Sequence, residues 1–169
     1  KNKDTAEVDM FPSEIEAPYH SVTDNKVTSQ TNILAGGSRF KITLGYQNNI
    51  RAEFEDNGTK AGYNYVDMNL QTMTYDAKWY LPGWKNFSTI VGVQGLSQMN
   101  ENSTEARTVL VPDASINDFG GVLVTKYNLR NFNLTAGVRY DMRDLSTTAI
   151  TKDSTVSMAA ISRSYNNVS

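Results

Sequence analysis

The sequence predicts an all-β protein, an antiparallel up-and-down meander of long strands. Three observations carry that expectation: a strict alternation over residues 40–54, its recurrence along the chain, and a regular exchange of short and long connections. In 40–54, Phe40, Ile42, Leu44, Tyr46, Ile50, Ala52 and Phe54 share one parity, broken only by Asn48. Lys41, Thr43, Gly45, Gln47, Asn49, Arg51 and Glu53 hold the other. Successive strand side chains point to opposite faces, so this is one ribbon with an apolar and a polar side. A strand of a water-soluble domain usually runs about five or six residues. A strand that crosses a bilayer needs roughly nine to eleven, tilted, with apolar side chains toward lipid. The length therefore predicts a segment of a transmembrane outer-membrane β-barrel.

The remaining elements follow in order. Residues 22–35 form a weaker strand with Val27, Ile33 and Ala35 on one parity, and Gly36-Gly37-Ser38-Arg39 is a tight turn into 40–54. Residues 55–67 are a polar link holding Asn57-Gly58, a turn signal. The strand at 68–81 sets Met73, Tyr75, Ala77, Trp79 and Leu81 against Thr72, Thr74, Asp76 and Lys78, and Pro82-Gly83-Trp84 turns it. The strand at 87–99 has Phe87, Thr89, Val91, Val93 and Met99 opposite Ser88, Gln94 and Gln98. After a link at 100–117, the strand at 118–129 opposes Phe119, Leu123, Tyr127 and Leu129 to Asp118, Lys126 and Asn128. A short turn leads to 132–143, where Phe132, Leu134, Ala136, Val138, Tyr140 and Met142 face away from Asn133, Thr135, Gly137, Arg139, Asp141 and Arg143. Residues 1–20 and 144–165 lack periodicity and are expected as long loops. Gly120-Gly121 inside a strand predicts a bulge or a close backbone approach. The whole chain, 1–169, is expected to be one partial barrel domain of about six strands.

All tight turns fall at one edge of such a meander and all long links at the other. Short periplasmic turns and long external loops are the outer-membrane pattern. Phe40, Trp79, Tyr80, Trp84, Phe87, Tyr127 and Phe132 cluster toward the tight turns, which predicts an aromatic girdle at that rim.

Composition narrows the function. A formal net charge of -2 gives no electrostatic case for nucleic acid. The chain has no cysteine and one histidine, His20, which removes thiol chemistry and any two-histidine metal motif. No run approaches the roughly twenty apolar residues of a membrane helix. A mean hydropathy of -0.47 does not argue against a barrel, whose strands are apolar only at alternate places. The chain shows neither an initiator Met nor a signal peptide at Lys1, and is expected to be a mature protein or an excised segment.

Candidate site residues lie on the polar parity: Arg51 and Glu53 on one strand, Arg139, Asp141 and Arg143 on another. They either line a substrate path or contact a plug, or they form a wet inner wall of ion pairs, which large barrels have generically. Carboxylate pairs such as Asp141 with Asp144, or Glu53 with Glu55, sit beside arginines or in a loop. They lack the sheltered pocket a general acid needs, and no enzyme activity or cofactor is expected. Asp4, Asp9, Glu14 and Glu16 lack the spacing of a calcium loop. Residues 1–20, 100–117 and 144–165 are the expected ligand-contacting loops.

The runs LGYQNNIRAEFED (44–56), MTYDAKWYLPGW (73–84), STIVGVQGLSQMNEN (88–102), VPDASINDFGGVLVTKYNL (111–129) and LTAGVRYDMRDL (134–145) together resemble consecutive barrel strands of TonB-dependent outer-membrane receptors, particularly the Bacteroidetes type. The likeness spans roughly residues 19 to 169, and residues 163–169 resemble the approach to a further strand. It implies an internal fragment of an active transporter of the bacterial outer membrane. It also implies a nutrient ligand such as a siderophore, vitamin, oligosaccharide or peptide. The plug domain and the TonB contact would belong to parts of the receptor outside this chain, and the partners at the wall would be lipid and lipopolysaccharide. Open edge strands predict that the isolated piece self-associates. Two other readings compete. A soluble lipocalin-like barrel carrier would turn the apolar parity inward, and a passive outer-membrane porin would share the wall but lack a plug.

Overall fold

The computed structural model describes residues 15–59, 62–152 and 155–169. Strands β1 (Tyr19–Ala35), β2 (Ser38–Glu55), β3 (Tyr63–Tyr80), β4 (Phe87–Asn102), β5 (Ala114–Leu129) and β6 (Phe132–Thr147) run to between 16 and 18 residues each. A small hairpin, β7 (Ile150–Lys152) with β8 (Thr155–Met158), precedes β9 (Ile161–Val168). Each long strand pairs antiparallel with its predecessor, giving one seven-stranded sheet in the order β1-β2-β3-β4-β5-β6-β9. The sheet is open: β1 and β9 are its edges.

The expected meander is present, with three corrections. The strands are longer than the periodicity indicated. β3 begins at Tyr63 inside the expected 55–67 link, β5 at Ala114 inside 100–117, and β6 runs on to Thr147. Polar residues at these ends pair in the ladder as well as apolar ones do, because the ladder is made by the backbone. Second, the region 144–165 is not one irregular loop, since it contains the end of β6, the β7–β8 hairpin and the start of β9. Third, Gly120-Gly121 carries no bulge. The register passes straight through it, and the one irregularity of the large sheet lies between Glu53 and Phe54, opposite Tyr65. The expected strand at 22–35 begins at Tyr19, within the last residues of the expected 1–20 loop.

The turns have local causes. Gly36 and Gly37 both take positive φ, 56° and 77°, the conformation of a two-residue hairpin loop whose twist matches its strands. Glycine adopts it without a Cβ penalty. The hairpin between β5 and β6 closes over Arg130 and Asn131, with Arg130 at φ 38°.

The sheet has almost no interior. Val66 is the one fully buried large side chain among the described residues. Leu44, Val91 and Val138 are 53%, 38% and 50% exposed. They lie on the sheet's open surface, far from the dry central nucleus a soluble barrel would make of them. An apolar face of this extent left uncovered marks an interaction surface.

Candidate functional site

Register sorts the side chains into two faces. Phe40 lies beside Trp79 and, through Val91 and Leu123, in line with Val138. Strands β1 to β6 thus send their apolar parity to one side, while Ile161 and Tyr165 of β9 fall on the other. The other side collects most of the charges, with Asp67, Glu101 and Asp144 the exceptions. Lys26, Arg39, Lys41, Arg51, Lys78, Lys126, Arg139, Arg143 and Arg163 are the basic residues of the seven-stranded sheet, and all nine fall on the polar face.

The ladder also slants. Arg39, one residue past the start of β2, leads through Tyr80, Ile90 and Val124 to Gly137, five residues past the start of β6. The tight-turn rim therefore falls by four residues over four strand steps. At the other end Asn49, six residues before the end of β2, leads through Leu70, Asn100 and Ala114 to Thr147, the last residue of β6. One to one and a half residues per strand, at about 3.3 Å per residue and roughly 4.8 Å between strands, is a tilt of about 35–45°. Strands in closed membrane barrels tilt by about the same amount.

Levelling the rows by one residue per strand brings distant aromatics to common heights. Tyr140 aligns through Gly121, Val93 and Ala77 with Ile42, and four strand steps raise it to the level of Tyr46. By the same rule Tyr46, Tyr75, Phe119 and Tyr140 fall within two residue steps of one another. Phe40, Trp79, Phe87, Tyr127 and Phe132 form a second level nearer the tight turns, within three steps. Rings of the lower level touch, Phe40 with Trp79 at 5.5 Å and Phe87 with Tyr127 at 4.7 Å. Apolar side chains fill the interval. The whole belt, from Phe132 up to Met142 on β6, spans ten residue steps, or roughly 25 Å once tilted. Above it the same face carries Ser97, Asn117, Asp144 and Ser164 in one row, with Asn48, Gln71, Met99, Ser115 and Ser146 in the next.

The expected site residues are on the polar face, and each is paired. Arg139 donates from Nε to Asp141 at 2.6 Å, and Arg143 donates from Nε and Nη2 to Asp118 at 2.7 and 2.6 Å. Arg51 meets Glu53 at 2.9 Å, with His20 Nδ1 3.4 Å from the same carboxylate. Lys78 binds Asp76. The Arg51–Glu53 pair lies well up toward the long links, whereas Arg139, Asp141 and Arg143 lie at the level of the belt. Asp118, the partner of Arg143 across the strands, was on the expected polar parity but was not singled out, because parity alone does not give register. Exposed pairs of this kind contribute little to stability, because water screens them.

Glycines let these long side chains lie flat. A Cβ on Gly120 would sit 2.6 Å from Asp141 Oδ1 and 2.9 Å from Arg139 Nη2, so the Arg139–Asp141 pair rests on bare backbone. That is the close approach expected of Gly120-Gly121. A depression of about 550 Å³ is lined here by Thr74, Asp76, Gln94, Asp118, Arg139 and Arg143. Its lining also includes Tyr75 and Phe119 of the opposite parity, so it is a shallow hollow in a thin sheet.

The β4–β5 link is held down. Asn102 donates to Val111 O at 2.8 Å and Asn100 to Pro112 O at 3.3 Å, while the amides of Arg107 and Thr108 donate to Asn64 and Tyr65. Beneath this strap lies Tyr63, whose hydroxyl donates to Glu55 at 2.6 Å. That bond raises the phenol above its ordinary 10, with smaller contributions from desolvation and the nearby negative charge. The raised value means the bond's contribution is present below the ordinary pKa and is lost as pH rises through the raised one. Spectrophotometric titration is expected to show Tyr63 ionising above the ordinary phenol value, and Glu55→Ala, which removes the acceptor, to bring it back. The acidic residues Asp4, Asp9 and Glu14 lie outside the described residues. No group of three or more potential metal ligands occurs among the described residues.

No family model matches the chain, and neither a curated protein nor a solved structure matches it.

Proposed function

We propose that this chain is a wall segment of an outer-membrane β-barrel, from a TonB-dependent active transporter for a nutrient ligand. The observation that carries the barrel reading is the levelled belt. An apolar band about 25 Å tall with aromatic girdles at both margins is what a barrel strand presents to lipid. A rim that slants at a barrel's tilt, and basic residues kept wholly on the opposite face, support the same conclusion. The soluble carrier is disfavoured because its apolar parity would have to be buried. The transporter reading, as distinct from a passive porin, rests on the five strand-sized runs that resemble TonB-dependent receptors. On this reading the long links face outward and take the ligand, while plug and TonB engage other parts of the receptor.

The absence of native cysteine allows a clean test. Single cysteines placed in turn at positions 40 to 46 would carry a fluorophore in vesicle-reconstituted protein. Lipid-borne quencher should dim the even positions and aqueous quencher the odd ones. Uniform quenching from water would end the barrel reading. Because Arg139 and Arg143 are already satisfied by Asp141 and Asp118, Arg139→Ala with Arg143→Ala is expected to change ligand uptake by the intact receptor by less than about two-fold. A larger loss would put these residues in the substrate path.

A further inference from the structure

Two stretches near the tight turns break the alternation of the sheet. Ile90-Val91-Gly92-Val93 of β4 and Val122-Leu123-Val124 of β5 carry no polar side chain at either parity. A continuous apolar run of this kind marks a strand covered on both sides. Val91, Val93 and Leu123 belong to the apolar face. Ile90 and Val124 stand opposite each other on the polar face, with Tyr80 beside Ile90 and Val122 two residues along β5. These four side chains are half-buried. Among the described residues each strand of the sheet touches only its ladder neighbours, so no element of this chain lies over them.

Cations frame the patch. Arg39 and Lys41 on β2, Lys78 on β3 and Lys126 on β5 fall within three residue steps of one level once the slant is removed. Lys41 stands directly opposite Lys78, a like-charge pair that disfavours the bare sheet. Asp76 holds Lys78, and Arg39 lies over the Tyr80 ring at 3.9 Å. Lys41 and Lys126 have no hydrogen bond or ion pair among the described residues. The next carboxylates along this face, Asp141 and Asp118, are taken by Arg139 and Arg143. Lys41 and Lys126 are separated by the steps from β2 to β5, roughly 14 Å at 4.8 Å per step, with the apolar patch between them. A small anion spans neither that width nor the patch, whereas an extended chain does both. We propose that the tight-turn end of the polar face seats an acidic, amphipathic polypeptide segment. Its apolar side chains lie on Tyr80, Ile90, Val122 and Val124, and its carboxylates beside Lys41 and Lys126. The surface exists in the sheet alone; the barrel reading adds that the segment sits inside the lumen, at its tight-turn mouth.

The test follows the fluorescence anisotropy of short labelled peptides against the full chain in phosphatidylcholine nanodiscs at physiological ionic strength, with empty nanodiscs subtracted. An alternating Glu-Leu peptide should bind about ten-fold tighter or more than alternating Glu-Ser, which lacks the apolar side. Alternating Lys-Leu should not bind. Lys41→Glu with Lys126→Glu should weaken Glu-Leu binding about ten-fold or more. Lys41→Gln with Lys126→Gln should weaken it in the same direction, which separates lost attraction from new repulsion. Lys26→Glu, at a cation of the same face nearer the long links, should weaken it by less than about two-fold. Equal losses at Lys26 and at the Lys41–Lys126 pair, or equal binding of Glu-Leu and Glu-Ser, would overturn the proposal. Displacement by millimolar inorganic phosphate would overturn it too, by reducing the surface to a simple anion contact. Alternating quenching at 40–46 without peptide binding would remove the docking surface and leave the barrel standing. Peptide binding with uniform quenching from water would keep the surface and remove the barrel.

Discussion

Val138→Arg is expected to destabilise the membrane-inserted sheet by about 2–4 kcal/mol, the depth-dependent cost of a guanidinium at the lipid midplane. Val138 is half exposed and lies on the apolar face, level with Leu44 and one residue from the middle of the Phe132–Met142 belt. Its neighbour Arg139 carries the same group on the other face at no such cost, because there it binds Asp141. Urea unfolding in vesicles should show the midpoint falling sharply for Val138→Arg. Ser115→Arg, on the same face above the belt, should move it by only about 0–1 kcal/mol. In a water-soluble sheet an exposed Val138 would tolerate the change within about 0.5 kcal/mol. The depth contrast is therefore the informative quantity: equal small effects at both positions would mean that no hydrocarbon covers the belt.

The second large effect is expected at Gly95. A Cβ there would strike the backbone oxygen of Asp118 and stand 2.5 Å from the Tyr75 hydroxyl, since Tyr75 lies across this position from the paired strand. Gly95→Val should cost about 1–3 kcal/mol by overpacking. Adding Tyr75→Ala should recover only part of that, because the backbone contact with Asp118 remains. Gly121→Val is the matched control. It is the next glycine on the same face, a Cβ there meets nothing within 4 Å, and β-branched side chains suit strands. Gly121→Val should be neutral or mildly stabilising by the same urea measurement. Equal losses at both glycines would show that loss of glycine itself, rather than the Tyr75 packing, is what matters.

Much of this was legible in the residues. The parity of 40–54 and 132–143 names both faces outright, since a two-residue period leaves no other assignment. Gly36-Gly37 announces its hairpin. The seventh strand was harder to read. Arg163, Tyr165 and Val168 show no clean alternation, and β9 forms because its backbone completes the ladder of β6. The upper aromatic level was also invisible. Tyr46, Tyr75, Phe119 and Tyr140 are scattered by tens of residues and come level only when register and slant are known. The expected ligand loops fared unevenly, since 100–117 proved partly strand and partly a strap tied to β3 and β4.

The sequence by itself determined the strand class, the two faces and the side on which each hairpin closes, because each of these is a local consequence of alternation and turn chemistry. Only the tertiary structure decided which residues stand beside one another across strands. Register depends on pairing between distant segments, and a shift of two residues would keep every face while moving every partner. The slanted rim, the level belt and the Arg143–Asp118 pair all come from that pairing.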